Sequence, residues 1–157
     1  MNNIAANRVS VIRTNSDNKD FAALIQLLDR CLHERYGEQQ KFFNKFNKLD
    51  TIKNVVIAYV NGVPAGCGAF KKYNDHSIEI KRMFVKEEYR RRGIAKIILK
   101  ELEGWAAELN FTDAILETGR NQPESMDLYQ KVGYVITENY GQYAGVEISV
   151  CMKKGIA

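Results

Sequence analysis

The chain of 157 residues carries a formal charge of +4, and 45% of its residues are aliphatic or aromatic. That balance predicts one compact domain over residues 1–157, long enough to bury a real core. No apolar run approaches the ~18 residues of a membrane span, and Met1 to Arg8 lacks the apolar core of a secretory signal. No membrane partner is expected, and the cytoplasm is the expected location. The three cysteines, Cys31, Cys67 and Cys151, form no C-x-x-C pair, and His33 and His76 are the only imidazoles. Zinc is therefore not expected, no metal site is assigned, and the cysteines read as small buried hydrophobes.

Val9 to Arg13 reads as a first strand. Ser16-Asp17-Asn18 offers capping groups ahead of Phe21, Leu24, Ile25, Leu28 and Leu32, an amphipathic helix ending near Gly37. A short second helix is expected over Lys41 to Asn47. Val55 to Val60 is a buried strand. Asn61-Gly62 is the two-residue turn of a tight hairpin, and Val63 to Lys72 returns from it. Asn74-Asp75 then turns the chain into a strand over Ser77 to Val85. Ile94, Ile98, Leu102, Trp105 and Leu109 recur at helical spacing, which predicts a helix from Arg92 to Leu109. Ala114 to Thr118 is another strand, and a short helix starts at Pro123 and stops before Gly133. Tyr134 to Thr137 and Val146 to Met152 close the sheet. The fold class is α/β (mixed α+β): a mixed, mostly antiparallel central sheet flanked by helices.

Between the strand ending at Val85 and the following helix stands Tyr89-Arg90-Arg91-Arg92-Gly93-Ile94-Ala95. A helix start carries partial positive charge from unpaired N–H groups and favours acids, so three arginines there break a local rule. A polyanion seated on the turn resolves the conflict, with Gly93 allowing close backbone approach. Elsewhere the basic residues alternate with acids, as in Lys96 to Glu103, and there is no one-sided basic stripe. Aromatic RNA-binding motifs and a helix-turn-helix are lacking, so nucleic acid is not an expected partner.

Three blocks occur in a recognisable order: the Glu79 to Val85 strand, Arg90-x-x-Gly93-x-Ala95, and Leu128-Tyr129-Gln130-Lys131-Val132-Gly133-Tyr134. Over roughly residues 50 to 153 the chain resembles the GNAT family of N-acetyltransferases. The resemblance implies a GNAT-like fold and an acetyl-CoA site. Pyrophosphate would lie on Arg90, Arg91, Arg92, Gly93, Ile94 and Ala95, and pantetheine along Met83, Phe84 and Val85. Gln122 stands where the family often has Asn, Asn121 beside it offers the same polar character, and Ser125 replaces a common Ala. Both Asn121 and Gln122 are therefore taken as cofactor contacts. The implied reaction is direct transfer of an acetyl group to a primary amine of a small molecule or peptide. The acceptor is unidentified, and a homodimer stays open.

Such a reaction needs a proton acceptor, because a lysine-like ammonium with a pKa near ~10.4 has no lone pair to attack with. It also benefits from a proton donor to the departing thiolate. Glu79 lies fourteen residues before Gly93, the offset of a general-base Glu in the family's histone-acetylating branch. In strict alternation it shares a face with Met83 and Val85. A structural pairing with Lys81 or a cross-strand lysine is the competing reading. Glu117, in an otherwise apolar strand, is the second candidate base, directly or through water. The resemblance places Tyr129 beside the cofactor sulfur as the proton donor, against helix packing with Met126 and Val132. Asn139 to Tyr143 reads first as a surface turn and second as an acceptor wall. Tyr36, Phe42 and Phe43 read first as core. A non-catalytic acyl-CoA sensor is the alternative function, followed by a nucleic-acid module.

Overall fold

A computed structural model describes residues 8–37 and 51–157. The helix expected over residues 41–47, with Phe42 and Phe43, lies outside the described residues. Strand β1 (Val9–Thr14) leads into helix α1 (Lys19–Tyr36), whose start is closed by Asn18: its side chain accepts from the backbone N–H groups of Asp20 and Phe21. Strands β2 (Asn54–Val60), β3 (Val63–Lys72) and β4 (Ser77–Val85) follow as an antiparallel meander. The β2–β3 turn is Asn61-Gly62, both in the left-handed region at φ 50° and 82°. Helix α2 (Ile94–Glu108) crosses over to β5 (Asp113–Gly119), which pairs parallel to β4. Helix α3 (Pro123–Lys131), β6 (Val135–Thr137) and β7 (Ser149–Gly155) complete one sheet of order β1-β2-β3-β4-β5-β7-β6.

The sheet's two faces carry separate cores, as period-2 patterning requires of a sheet covered on both sides. Val56, Ala58, Ile78, Ile80, Leu116 and Met152 meet Ile94, Ile98, Leu99, Leu102 and Ala106 of α2. Val55, Ile57, Cys67, Ala69 and Phe84 meet Phe21, Leu24, Ile25 and Leu28 of α1. Leu109 does not extend the α2 stripe. It follows the helix end and is 48% exposed. Arg13 ties the β1 edge to α2 through Glu101 at 2.6 Å and Glu108 at 2.8 Å. Among the described residues no helix is long and apolar enough to cross a membrane.

Two departures from the sequence pattern shape the site. The β3–β4 register runs Ala69↔Lys81 and then Cys67↔Phe84, so Arg82 and Met83 together oppose Gly68. This β-bulge, with Arg82 at φ 60°, reverses the alternation from that point on. Glu79, Met83 and Val85 therefore do not share a face, contrary to strict alternation. Met83 and Val85 pack on the α2 side, Phe84 on the α1 side, and Glu79 points to the α1 side, opposite to Ile78 and Ile80. The Arg82 guanidinium meets Asp29 of α1 at 3.0 Å, which helps hold an uncommon backbone conformation for a residue with a Cβ. The second departure is at β7, which begins at Ser149 rather than Val146. The preceding turns are tied by Asn139, whose Nδ2 donates to the carbonyls of Tyr143, Val146 and Ser149 at 3.1, 3.0 and 3.1 Å.

Candidate active site

Strands β4 and β5 pair only at Ser77↔Asp113, Ile78↔Ala114 and Glu79↔Ile115. Beyond these pairs the strands diverge, and a cleft opens between residues 79–83 of β4 and 116–119 of β5. The sequence-selected residues fall into two sets, one on the turn that follows β4 and one that lines the cleft.

The first set is the arginine turn, between β4 and α2. Helix α2 begins at Ile94, two residues later than expected, with Gly93 as its cap at φ 78° and no side chain closing the first N–H groups. Arg91 is also left-handed at φ 65°, and α2 has no acid in its first turn. Arg90, Arg91, Arg92 and Gly93 are exposed, and nothing lies within 4 Å of where a Cβ on Gly93 would be. Two arginine stems are anchored. Arg90 Nε donates to the Val85 carbonyl at 2.8 Å, and Arg92 lies 5.6 Å from the centre of the Tyr89 ring. Ile94 is buried in the core and Ala95 half-buried.

At the cleft itself, α1, β4, β5, α3 and the loop before β7 converge. Glu79, Lys81, Glu117, Gln122, Ser125, Tyr129, Tyr36 and Tyr143 all line the cleft. Glu79 is fully engaged: Tyr140 Oη donates to Oε2 at 2.7 Å, and Lys81 Nζ stands 3.8 Å from Oε1. The structural pairing weighed for Glu79 is thus present, with Tyr140 added. Burial raises the Tyr140 phenol above its ordinary range, with the Glu79 charge adding to it. Burial pulls Lys81 below the usual amine range, while the Glu79 charge opposes that shift.

Glu117 is different. Burial pushes its carboxyl up to about 7, and the nearby Glu79 charge acts in the same direction. The Ser149 hydroxyl and the Lys81 charge oppose the rise. Ser149 Oγ approaches Glu117, and among the described residues it reaches full hydrogen-bond geometry with no group. A carboxyl in this condition changes protonation state near neutral pH.

Tyr129 is buried at the cleft floor, packed edge-on to Tyr134 at 5.8 Å between ring centres. Burial, and secondarily the Glu117 charge, hold its phenol above the ordinary range, so it stays neutral. Gln122 accepts from Tyr36 Oη at 3.1 Å, and the Asn121 carbonyl accepts from Arg35 at 2.8 Å. Gly119 makes room for this arrangement, since a Cβ there would fall 1.5 Å from Tyr36 Oη. The Asn139 to Tyr143 segment is not a free surface turn. Tyr143 is 2% exposed and Tyr140 reaches Glu79. Sequence pattern does not single out Lys81 or Ser149 as site residues, although a polar residue within an apolar strand is the signal that marks both, while Tyr140 falls in the Asn139 to Tyr143 segment whose second reading is an acceptor wall. Cys67 and Cys151 are buried, with thiols raised to about 12 and about 11 by burial, which fits the small-hydrophobe reading.

Comparisons with known proteins identify the family and the fold. A model described as "Acetyltransferase (GNAT) family" matches residues 21–134. The IAA acetyltransferase of Azospirillum brasilense is 28% identical over 151 residues, spanning 93% of this chain and 97% of that protein. A Klebsiella pneumoniae protein assigned as an acyl-CoA N-acyltransferase superposes with a TM-score of 0.79 at 22% identity, covering 95% of this chain and 98% of that one. A GNAT family acetyltransferase from Elizabethkingia anophelis, solved with acetyl-CoA bound, has a TM-score of 0.69 at 16% identity and coverage of 94% and 97%. The two structural likenesses concern the fold.

Proposed function

The chain belongs to the acetyltransferase (GNAT) family and is an acetyl-CoA-dependent N-acetyltransferase, and from that premise we propose that it acetylates a primary amine on a small molecule or peptide, with Glu117 as the base and Tyr129 as the donor to sulfur. The observation that carries this reading is the meeting of a neutral-range carboxyl and a buried, neutral phenol in the cleft where β4 and β5 part.

Acetyl-CoA supplies an electrophilic thioester carbonyl and a thiol leaving group. The residues present suit it. The uncapped N–H groups of α2 and the exposed arginines offer donors and charge to a pyrophosphate, and Gly93 leaves its approach open. From Ile80 onward the β4 edge that faces β5 has no strand partner, so an extended pantetheine can pair with it as a strand would.

Glu117, ionised above about pH 7, accepts a proton from the acceptor ammonium, directly or through one water, and so exposes the lone pair that attacks. Glu79 is a poorer candidate because Tyr140 and Lys81 already occupy its oxygens. Its role is to fix the far wall. As the new C–N bond forms and the C–S bond breaks, Tyr129 donates through its hydroxyl to the departing sulfur. A free thiol has a pKa near ~8.5, well below a burial-raised phenol, so the hydrogen bond to developing charge carries more of this effect than full proton transfer. No covalent enzyme intermediate is needed, and the raised thiols of Cys67 and Cys151 fit that.

The test is single-turnover acetylation of a panel of primary amines, read as free thiol release, for the native protein and for Glu117→Gln. The native rate should rise with pH through about 7, and Glu117→Gln should be slow and flat across that range. An unchanged acid limb in Glu117→Gln removes the base from this position. Tight CoA binding with no turnover on any amine points instead to the sensor reading.

A further inference from the structure

Ser149 Oγ is the buried side-chain polar atom that finds no hydrogen-bond partner among the described residues, in a residue 1% exposed. Burying an unmade hydroxyl costs free energy that an alanine of nearly the same shape avoids. Its place in the sheet is informative. Ser149 opposes Gly119 and Cys151 opposes Glu117, so on this antiparallel pair Ser149 is the diagonal neighbour of Glu117 on the same face. Gly119 has no side chain to compete for the hydroxyl. The loop before β7 fixes the Ser149 backbone, since its N–H donates to Val146 and its carbonyl accepts from Asn139.

We propose that Ser149 is a positioning residue for acetyl transfer: its hydroxyl donates to the Glu117 carboxylate once that group is ionised, and so holds the base charged and oriented into the cleft. The inference rests on Glu117 being the base. A protonated Glu117 makes little demand on the hydroxyl, whereas the carboxylate is an acceptor and forms the stronger, charge-assisted bond. The orphaned state and the bonded state are thus two protonation states of one site.

Other titratable groups face Glu117 as well. From β4 come Lys81, which favours the charge, and Glu79, which opposes it. From α1, α3, the loop and β7 come Tyr36, Tyr129, Tyr143 and Cys151, each raised by burial and so neutral through the relevant range. Of the two groups that favour the charged form, Lys81 acts through its charge and Ser149 as a side-chain hydrogen-bond partner.

Two readouts test the proposal on the full chain: the acid limb of the single-turnover rate, and the Glu117 carboxyl titration followed by 13C NMR. In Ser149→Ala both should move up by about one pH unit, with the rate at pH 6 down about tenfold or more. Ser149→Thr keeps the hydroxyl and should leave both where they are. A hydroxyl that merely fills space predicts neither movement, and an unmoved titration in folded Ser149→Ala overturns the contact even if Glu117 is the base. If Glu117→Gln retains the acid limb, the base assignment fails, and the positioning role fails with it, whatever the titration shows. Should Ser149→Ala not fold, Ser149→Cys, with a weaker donor, must show a displacement in the same direction or the proposal falls.

Discussion

The arginine turn and the β4–β5 cleft are built in different ways. The arginine turn is local: six consecutive residues, Arg90 to Ala95, contain the charge, the left-handed glycine and the uncapped helix start. The cleft is assembled from five segments, with Tyr36, Glu79, Glu117, Tyr129 and Tyr143 separated by up to 107 positions in the chain. The arginines of the local half face solvent, where an anion is proposed to sit. The assembled half is largely buried, and burial rather than sequence spacing sets its proton chemistry. Substitutions in the first should act on cofactor affinity, and substitutions in the second on rate and pH dependence.

The sharpest test of that division is Glu117→Gln. Acid–base catalysis contributes typically 10²–10⁴-fold, so turnover at neutral pH should fall by about 1,000-fold while CoA affinity stays within a few-fold. A large loss of CoA affinity would break the comparison. The same variant has a stability signature. A folded carboxyl at about 7, above its ordinary 4.5, contributes stability fully present below about pH 4.5 and lost as pH rises through 7. Glu117→Gln should therefore be more stable than the native chain at pH 8, by on the order of 3 kcal/mol, with no gain at pH 4. Thermal unfolding at the two pH values checks the sign.

Next in size is Gly93→Asp, which puts a negative charge and a strained side chain at φ 78° where the pyrophosphate is proposed to sit. We expect about a 100-fold weaker CoA affinity by calorimetry, with a folded core, since a Cβ here meets no protein atom within 4 Å. Native affinity in that variant would move the cofactor elsewhere. Tyr129→Phe comes third. It keeps the ring packing against Tyr134 and should lower single-turnover rates by about 10- to 100-fold, less with a more acidic leaving thiol. Equal loss for good and poor leaving groups would assign Tyr129 to packing.

The smallest effect is expected from Tyr140→Phe, which removes the 2.7 Å hydrogen bond to Glu79 but leaves the edge-on contacts with Tyr73 and Tyr143. The amine KM should rise a few-fold with CoA affinity unchanged. A collapse of turnover as large as that of Glu117→Gln would make Glu79 the more important carboxylate and reverse the assignment.

Much of this architecture was legible in the chain because it depends on near neighbours. Asn18 caps α1, Asn61-Gly62 turns the first hairpin, Pro123 opens α3, and Ile94, Ile98 and Leu102 mark the buried stripe of α2. Each of these follows from backbone conformation or from a period of 2 or 3.6. The arginine turn was legible for the same reason, as a local electrostatic conflict.

What sequence pattern misjudged depended on partners remote in the chain. Alternation put Glu79 with Met83 and Val85, but the bulge at Arg82, paired to Asp29 on α1, turned the later residues over. The Asn139 to Tyr143 segment is polar and turn-rich, yet Asn139 binds three carbonyls and Tyr143 is buried against Tyr36 and Cys151. Two strand glutamates looked alike as candidate bases. Only their surroundings separate them, a phenol and an ammonium on Glu79 against a low-dielectric wall around Glu117. The sequence by itself determined the elements, their order and the arginine turn before α2, since those obey local sterics and periodicity. The tertiary structure decided which carboxyl is poised near neutrality and which hydroxyl faces it, because desolvation and through-space charge depend on what folds against a residue rather than on what precedes it.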